Sequence, residues 1–566
     1  MKRIALYILT LFVCCGLPQR GYAQVPDTTQ IGADRVEERL PEDLLNPSIP
    51  SATTIPLIEG IPEQGPLVPD TSGVTFRVDN IIVQGNTVFD NDVIHYQIRS
   101  GIGDNISLTD LRQVAMNLTT LYRQEGYAFS SAYVPQQTLE NNTVTIQVIE
   151  GYVGEVEYRG IDVPDGSIIQ GYAKSLTEMR PVKTRDLERY VLLINDLQGI
   201  QAKAIMSLIK DRPGVVKLIL LLDETRNQAG LSLNNRGSSA LGPLQSSLFY
   251  KYNNLLGAND QTTFIYLTTP GNNELRFFSL GQDIPIGGDG ARLFYSLRRS
   301  ESKPGGQARS FDISSQSNSM VVGVTYPWIR TRRQNLTTEF NFDLRNSATE
   351  SFDAEIIGDH LRYLRGGLDY SLVHNDGITD LNLKLSKGLD ILDATKSDSL
   401  TISRIGAYSD ASKLQGDIKR LQPLTDSTNL ILKATGQWAF KPVLSAELFG
   451  IGGSEYGRAF DFSTVTGDNG YAASAEVNYK IPYQSDAIDR INVYGFIDGG
   501  QAYDKTNLAG DSWQGLSTFG GGADVSVYKF FNARFEVAKP LSVDVQNTDY
   551  DYNPEVYGSL FVKVDF

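Results

Sequence analysis

The stretch YAASAEVNYKI at 471–481 decides how this chain is read. Ala473, Ala475, Val477, Tyr479 and Ile481 alternate with Ser474, Glu476, Asn478 and Lys480. A period of two means an extended strand with one apolar and one polar face. The same pattern recurs at 381–386, where Leu381, Leu383 and Leu385 alternate with Asn382, Lys384 and Ser386. A soluble sandwich would turn the apolar face inward. A transmembrane barrel turns it to lipid and keeps the polar face around a wet lumen.

Counting separates the two. Sixteen such segments follow residue 226: 228–238, 242–252, 260–269, 273–284, 289–300, 319–328, 335–347, 360–373, 377–388, 412–421, 427–439, 470–481, 489–500, 515–527, 530–539 and 556–566. Sixteen is even, and each segment is about long enough to cross a bilayer when tilted. From the fifth segment on the connections alternate long and short: 301–318, 329–334, 348–359, 374–376, 389–411, 422–426 and 440–469. A membrane barrel sorts its connections this way, with long loops outside and short turns in the periplasm, and a sandwich has no reason to. The last segment ends on Phe566, with Val564, Val562 and Leu560 sharing its face. Closure then removes the edges that strands this long would expose. The expected fold is mainly β, a transmembrane barrel of sixteen strands over 226–566.

Upstream, the chain repeats itself. The first unit, 74–151, opens with the strand FRVDNIIVQGNTVF at 76–89. A helix follows near 107–125, with Ser107 as its cap and Leu111, Val114, Ala115, Leu118 and Leu121 on one face. Two strands near 128–135 and 143–149 close the unit. The second unit, 152–225, repeats this order: Asp110, Gly126 and Ile149 correspond to Asp186, Gly199 and Asp223, at offsets of 76, 73 and 74 residues. Two copies of one small α/β unit of about 75 residues are expected. The apolar run VVKLILLL at 215–222 is either core or support for an exposed sheet edge.

Residues 24–73 form an N-terminal segment and Pro-rich linker, with one short stretch from Asp34 to Leu45 compatible with a few helical turns that Pro41 would interrupt. Residues 1–23 read as a signal peptide: a basic start at Lys2-Arg3, an apolar core over 4–17 and small residues before a cut after Ala23. The alternative is a short membrane anchor.

The chemistry is largely one of exclusion. Both cysteines, Cys14 and Cys15, lie inside the signal segment, so the mature chain has no thiolate for a metal or a disulfide. His95, His360 and His374 show no metal-ligand spacing, no nucleophile elbow or phosphate loop is present, and no cofactor or catalytic residue is expected. Asp549, Asp551, Asn553 and Glu555 alternate in the last long loop and could gather Ca²⁺, the ordinary alternative being a solvated acidic loop. The net charge of −15, and −18 once the three basic groups of residues 1–23 are gone, disfavours nucleic acid as a partner.

Two charges stand out. In INVYGFIDGG at 491–500, Asn492, Tyr494, Phe496 and Asp498 share the lumen parity. The longest connection, 440–469, carries Gly457-Arg458-Ala459-Phe460 amid many glycines. A loop of this kind either waves in solvent or folds back with its basic tip into an acidic lumen.

These residues, in this order, resemble the outer-membrane transporters of two-partner secretion, the TpsB family of ShlB/FhaC/HecB-type haemolysin secretion/activation proteins, within the POTRA-barrel superfamily. The resemblance covers roughly 74–566 and rests on LYRQEGYAFSSAYVPQQTL at 121–139, VIEG at 148–151, LLINDLQGIQAKA at 192–204 and GLSLNNRGS at 230–238. The family's loop motif, usually V-R-G-Y/F, falls on Gly457, Arg458, Ala459 and Phe460, with Gly457 where Val is usual and Ala459 where Gly is usual. Its wall motif F-x-D-x-G falls on Phe496, Asp498 and Gly500. The resemblance implies two periplasmic POTRA domains, an outer-membrane location, an N-terminal helix plugging the lumen and an Arg458–Asp498 pair inside the barrel. It further implies Phe566 as a C-terminal insertion signal read by the barrel-assembly machinery, outer-membrane lipids around the barrel, and a TpsA-like exoprotein as the secreted partner. An insertase for other barrels and a passive or plugged porin are the alternative functions.

Overall fold

The computed structural model describes residues 32–39, 58–59, 74–209, 211–238, 240–271, 273–483, 485–506, 513–545 and 552–566. The expected signal segment, residues 40–45 of the expected helix, and Asp549 and Asp551 lie outside the described residues. Two residues of the linker form β1 (Ile58–Glu59). The first periplasmic unit comprises β2 (Thr75–Val78), β3 (Asn80–Gln84), α1 (Asn91–Ile98), β4 (Gly103–Ser107), α2 (Leu108–Gln124), β5 (Ser131–Tyr133) and β6 (Thr143–Ile149). Helix α2 starts where the cap was expected. The Ser107 hydroxyl accepts from the Asp110 N–H at 3.1 Å, and the Asp110 carboxylate accepts from the Ser107 N–H at 2.8 Å. Leu111, Val114, Ala115 and Leu118 pack on Ile81 and Ile146; Leu121 is only half-buried, and Tyr122 takes the inward place in the last turn.

The second unit comprises β7 (Tyr152–Arg159), α3 (Ile168–Glu178), α4 (Thr184–Asn195), β8 (Ile200–Leu208) and β9 (Val215–Glu224). In each unit the last strand lies in the middle. β6 runs parallel to β3 and antiparallel to β5, and β9 runs parallel to β7 and antiparallel to β8. The sequence repeat is therefore a repeat of topology. It also settles the run at 215–222. β9 is central, with Leu218 and Leu220 fully buried among Val191, Leu193 and Ile194, so that run is core and not an edge. The outer strands are β7 and β8, and β1 adds to β8 in parallel, pairing Ile58 with Ala204 and Glu59 with Ile205.

The rest closes into one antiparallel barrel of sixteen strands. They are β10 (Asn227–Asn234), β11 (Gln245–Asn253), β12 (Gln261–Thr268), β13 (Leu275–Ile286), β14 (Ala291–Ser302), β15 (Ile313–Arg330), β16 (Gln334–Ser351), β17 (Ala354–His374), β18 (Gly377–Gly388), β19 (Ser412–Pro423) and β20 (Thr428–Ala439), then, past a loop carrying β21 (Phe449–Ile451) and β22 (Val465–Gly467), β23 (Asn469–Ile481), β24 (Ile488–Tyr503), β25 (Gln514–Val527), β26 (Phe531–Asp544) and β27 (Glu555–Asp565). Each of the sixteen expected segments overlaps one barrel strand. The seam pairs Gln228 through Asn234 with Asp565 through Ser559. Two connections are shorter than expected: 301–318 loses its end to β15, which begins at Ile313, and 348–359 loses most of its length. The stretch 348–359 is mostly strand, and Phe352 and Asp353, at φ 51 and 62, make a two-residue turn between β16 and β17. Its polar residues conceal the pairing from a hydrophobic pattern. Beyond the lipid, a ladder can continue on backbone bonds without an apolar face.

Candidate functional site

The loop 440–468 leaves the extracellular end of β20 and turns back into the barrel. β21 and β22 pair within it, and Gly470 lets Phe449 approach: a Cβ there would lie 2.1 Å from the Phe449 ring. Phe449, Ile451, Ala459, Phe460 and Val465 pack against Phe496, Ala502 and Leu516 of the wall. At the tip the Phe460 N–H donates to the Gly457 carbonyl at 2.9 Å, which places Arg458 and Ala459 at the corners of a tight turn. Gly457 has φ +73, and a Cβ there would meet Leu516 at 2.4 Å. Ala459 is not at positive φ. Gly457 therefore holds the left-handed position of this tip, and Ala459 takes a conformation open to any residue.

Asp498 sits on the wall at 4% exposure and gathers the tip. It accepts from the Gly457 N–H at 2.8 Å, from the Arg458 N–H at 3.4 Å and from the Thr518 hydroxyl. Arg458 Nε lies 3.0 Å from Asp498 Oδ2, off the line of its N–H, so this is an ion contact without a hydrogen bond. The guanidinium donates to Glu476 at 2.7 Å and to Ser474 at 3.3 Å, lies 3.5 Å from Glu536, and rests 4.0 Å over the Phe496 ring. The structure therefore brings Arg458, Asp498 and Phe496 together and surrounds the arginine with two further carboxylates. Gly500 lies in the wall beside them, where a Cβ would be 2.3 Å from the Tyr471 carbonyl. Phe566 is elsewhere. It ends the last strand, pairing both backbone groups with Asn227 at 2.9 Å, with its side chain exposed.

Sequence reasoning missed Glu476, Glu536 and Arg236 as members of this cluster. The parity of 471–481 had already placed Glu476 on the polar face. Glu536 follows Asn532 and Arg534 on the lumen parity of β26. The missing signal was which lumen carboxylates stand next to one another.

A second charged layer lies beside the tip. Glu447, in the same loop, pairs with Arg365 at 2.7 Å and Lys413 at 2.8 Å, and Arg365 also pairs with Asp343 at 3.0 Å. The N-terminal segment enters here as a single 3₁₀ turn, Val36–Arg39. Glu37 pairs with Arg298 and, at 3.0 Å, with Arg345, which also donates to the Asp34 carbonyl at 2.9 Å. Val36 fits a small apolar patch formed by Phe249, Ile265, Leu267, Leu275 and Phe277, and the Arg39 guanidinium lies 4.8 Å over Phe462 of the loop.

At the periplasmic mouth the second unit docks on two turns of the barrel. Asp196, after α4, takes both ends of the Arg330 guanidinium at 2.6 Å, and Arg189 donates to the Pro327 carbonyl at 2.9 Å. A cavity of about 2010 Å³ runs from Ile200 and Lys203 of β8, past Gln261 and Arg330, to Arg458. Among the described residues no group of three or more His, Cys, Asp or Glu is placed to hold a metal ion.

Residues 219–527 match the family of haemolysin secretion/activation proteins ShlB/FhaC/HecB, and residues 76–151 match the ShlB-type POTRA domain. The chain is 23% identical over 476 residues to the heme/hemopexin transporter protein HuxB of Haemophilus influenzae, covering 83% of this chain and 84% of that one. It is 22% identical over 484 residues to the outer membrane transporter CdiB of Escherichia coli, covering 80% and 78%. The solved structure of CdiB from Escherichia coli superposes with a TM-score of 0.78 at 19% identity, over 96% of this chain and all of that one. BamA from Haemophilus ducreyi lacking POTRA domains 1–3 superposes with a TM-score of 0.51 at 13% identity, over 87% and 100%. These superpositions establish a shared fold.

Proposed function

The chain belongs to the ShlB/FhaC/HecB family of haemolysin secretion/activation proteins, and on that premise we propose how it carries its partner exoprotein. It is an outer-membrane β-barrel transporter with its N-terminal units in the periplasm. The exoprotein is captured in extended form along β8, an outer strand of the second unit, where an added strand gains backbone hydrogen bonds without demanding a particular sequence. That β1 already pairs there supports the reading. The captured segment then follows the cavity from β8 into the lumen.

One observation carries the proposal. The two elements that fill the lumen, residues 32–39 and the loop 440–468, meet much of the wall through ion pairs and hydrogen bonds. Water entering with a polypeptide can replace these polar contacts, while the apolar packing on Phe496 and Leu516 and the patch around Val36 become exposed as the elements leave and so favour their return. Arg458 and Asp498 act as the lock of the loop. Folding of the exoprotein outside supplies the driving force. Outer-membrane lipids contact the apolar belt, and the barrel-assembly machinery reads the strand ending at Phe566 during insertion.

The test compares proteins released by wild-type cells and cells lacking the gene. Loss of one large exoprotein with other barrels intact is expected. General loss of outer-membrane barrels would identify an insertase instead, and loss of small-solute uptake alone a porin. In the same assay Arg458→Ala should cut secretion at least tenfold while the barrel still inserts and stays heat-modifiable. Asp498→Ala should match it, and the double variant should be no worse, as for residues acting as one unit. Normal secretion by Arg458→Ala would end the locking role.

A further inference from the structure

Arg236 stands just past β10, at the extracellular end of the seam. Beside it Asn235 clips the first strand to the last. Its N–H donates to the Gly558 carbonyl at 3.3 Å, its side-chain amide donates to the Val556 carbonyl at 3.0 Å, and its Oδ1 accepts from the Gly558 N–H at 2.7 Å. The Arg236 guanidinium lies 3.9 Å over the Tyr557 ring and donates to Glu536. It also reaches the Arg458 carbonyl at 3.4 Å. Glu536 is 2% exposed and therefore serves two arginines, one on the wall and one on the movable tip.

The charges are unequal in number. Three carboxylates, Asp498, Glu476 and Glu536, touch two arginines, Arg458 and Arg236, while Arg534 of the wall acts on Glu476 from farther off. Suppose the tip leaves. Asp498 keeps the Thr518 hydroxyl, Glu476 keeps the Asn478 amide at 2.8 Å, and Glu536 keeps the Tyr494 hydroxyl at 2.8 Å. Each carboxylate retains a hydrogen-bond donor on the wall, but of the two arginines in contact with them only Arg236 stays behind. Without it the vacated socket would hold three like charges with only Arg534 near Glu476 to offset them, and the cationic tip would be drawn back more strongly.

We propose that Arg236 is a positioning residue, the counter-cation that holds Glu536 when the tip undocks, and that it thereby sets how readily the loop is released. Its contact with the Arg458 carbonyl works in the opposite direction. That contact is long and neutral at the acceptor, whereas the carboxylate interaction involves full charges. The inference rests on the reading that the tip undocks, and the experiment keeps the two apart.

The Gly457 and Arg458 amides both donate to Asp498 when docked. Their hydrogen exchange in the full-length protein therefore reports undocking directly. Arg458→Ala is the control for undocking and should speed exchange over 455–460. If it does not, the reading of a releasable tip fails, and the role of Arg236 with it. With that control met, Arg236→Gln should slow exchange there by about tenfold, a typical coupling between linked sites. Arg236→Lys, which keeps the charge, should exchange close to the wild-type rate. Arg236→Gln combined with Glu536→Gln restores the charge balance of the empty socket and should return the rate to wild type. A purely structural Arg236 predicts the reverse, faster exchange in Arg236→Gln and no rescue by the second change. Either result, or an unchanged rate in Arg236→Gln, overturns the proposal. Heat-modifiability of each variant verifies that the barrel has closed, and Arg236→Lys against Arg236→Gln reads the charge even where truncation disturbs the seam.

Discussion

In β9 the inward side chains are Val216, Leu218, Leu220 and Leu222; in β16 they are Asn341, Asp343 and Arg345, and Phe340, Phe342 and Leu344 face out. Both strands alternate, with opposite sorting. The interior of the second periplasmic unit is a closed apolar cluster centred on α4 and β9. The barrel turns most of its apolar groups to lipid, and its interior joins a network of arginines and carboxylates to two apolar patches, one against the loop and one around Val36. The difference teaches where each region can change. An apolar core is close-packed and gives way only by unfolding, so the second unit must act as a rigid body. Ion pairs in a lumen are modest once water is admitted, so the barrel can release its contents without losing its wall.

The largest effect should come from the apolar side of that contrast. Leu218→Ala should destabilise a soluble fragment of residues 74–225 by about 2–5 kcal/mol, through lost burial and a residual cavity. Urea unfolding measures this, and a loss below about 1 kcal/mol would mean that the unit is not held by its core. Next comes the lumen. Arg345→Ala removes a partner of Glu37 and the donor to the Asp34 carbonyl, contacts worth about 1.5–3 kcal/mol where charge is involved. Ion conductance in a planar bilayer should rise as residues 32–39 leave, with heat-modifiability unchanged. If the barrel unfolded instead, the wall and its contents would not be separable, and the comparison would break.

The smallest effect sharpens the first unit. Ser107→Ala removes half of a capping box and should cost about 1 kcal/mol. The effect should depend on pH. The Ser107 hydroxyl and N–H hold the Asp110 carboxyl below its ordinary value. A depressed folded pKa contributes stability above the unfolded value and loses it as pH falls through the folded one. In acid the wild-type and Ser107→Ala fragments should therefore converge. A constant gap between them down to the acid limit would show that the carboxylate takes no part in the cap.

Much of the fold was legible because its signals are local. The alternation at 471–481 placed Glu476 on the polar face, and the parity of 491–500 placed Asp498 in the lumen. Ser107 marked a helix start because it is a good N-cap residue standing just before the apolar periodicity of 111–121. The run at 215–222 was not decidable, because its composition suits both a central strand and one backing an edge. Only the order of strands in the sheet, with β9 between β8 and β7, made it core.

By itself, then, the sequence determined the number of strands, the face each side chain takes and the presence of a repeated α/β unit, since a period of two or an offset near 75 residues needs no knowledge of neighbours. Tertiary structure decided the rest. Arg236, Arg458, Glu476, Asp498 and Glu536 meet across as many as 300 residues because the barrel closes and the loop returns. Position 457 takes glycine because its φ is left-handed and Leu516 leaves no room for a Cβ. The hairpin at 352–353 forms because two polar strands continue their pairing above the lipid. Each of these depends on which segments lie side by side, and no local pattern records that.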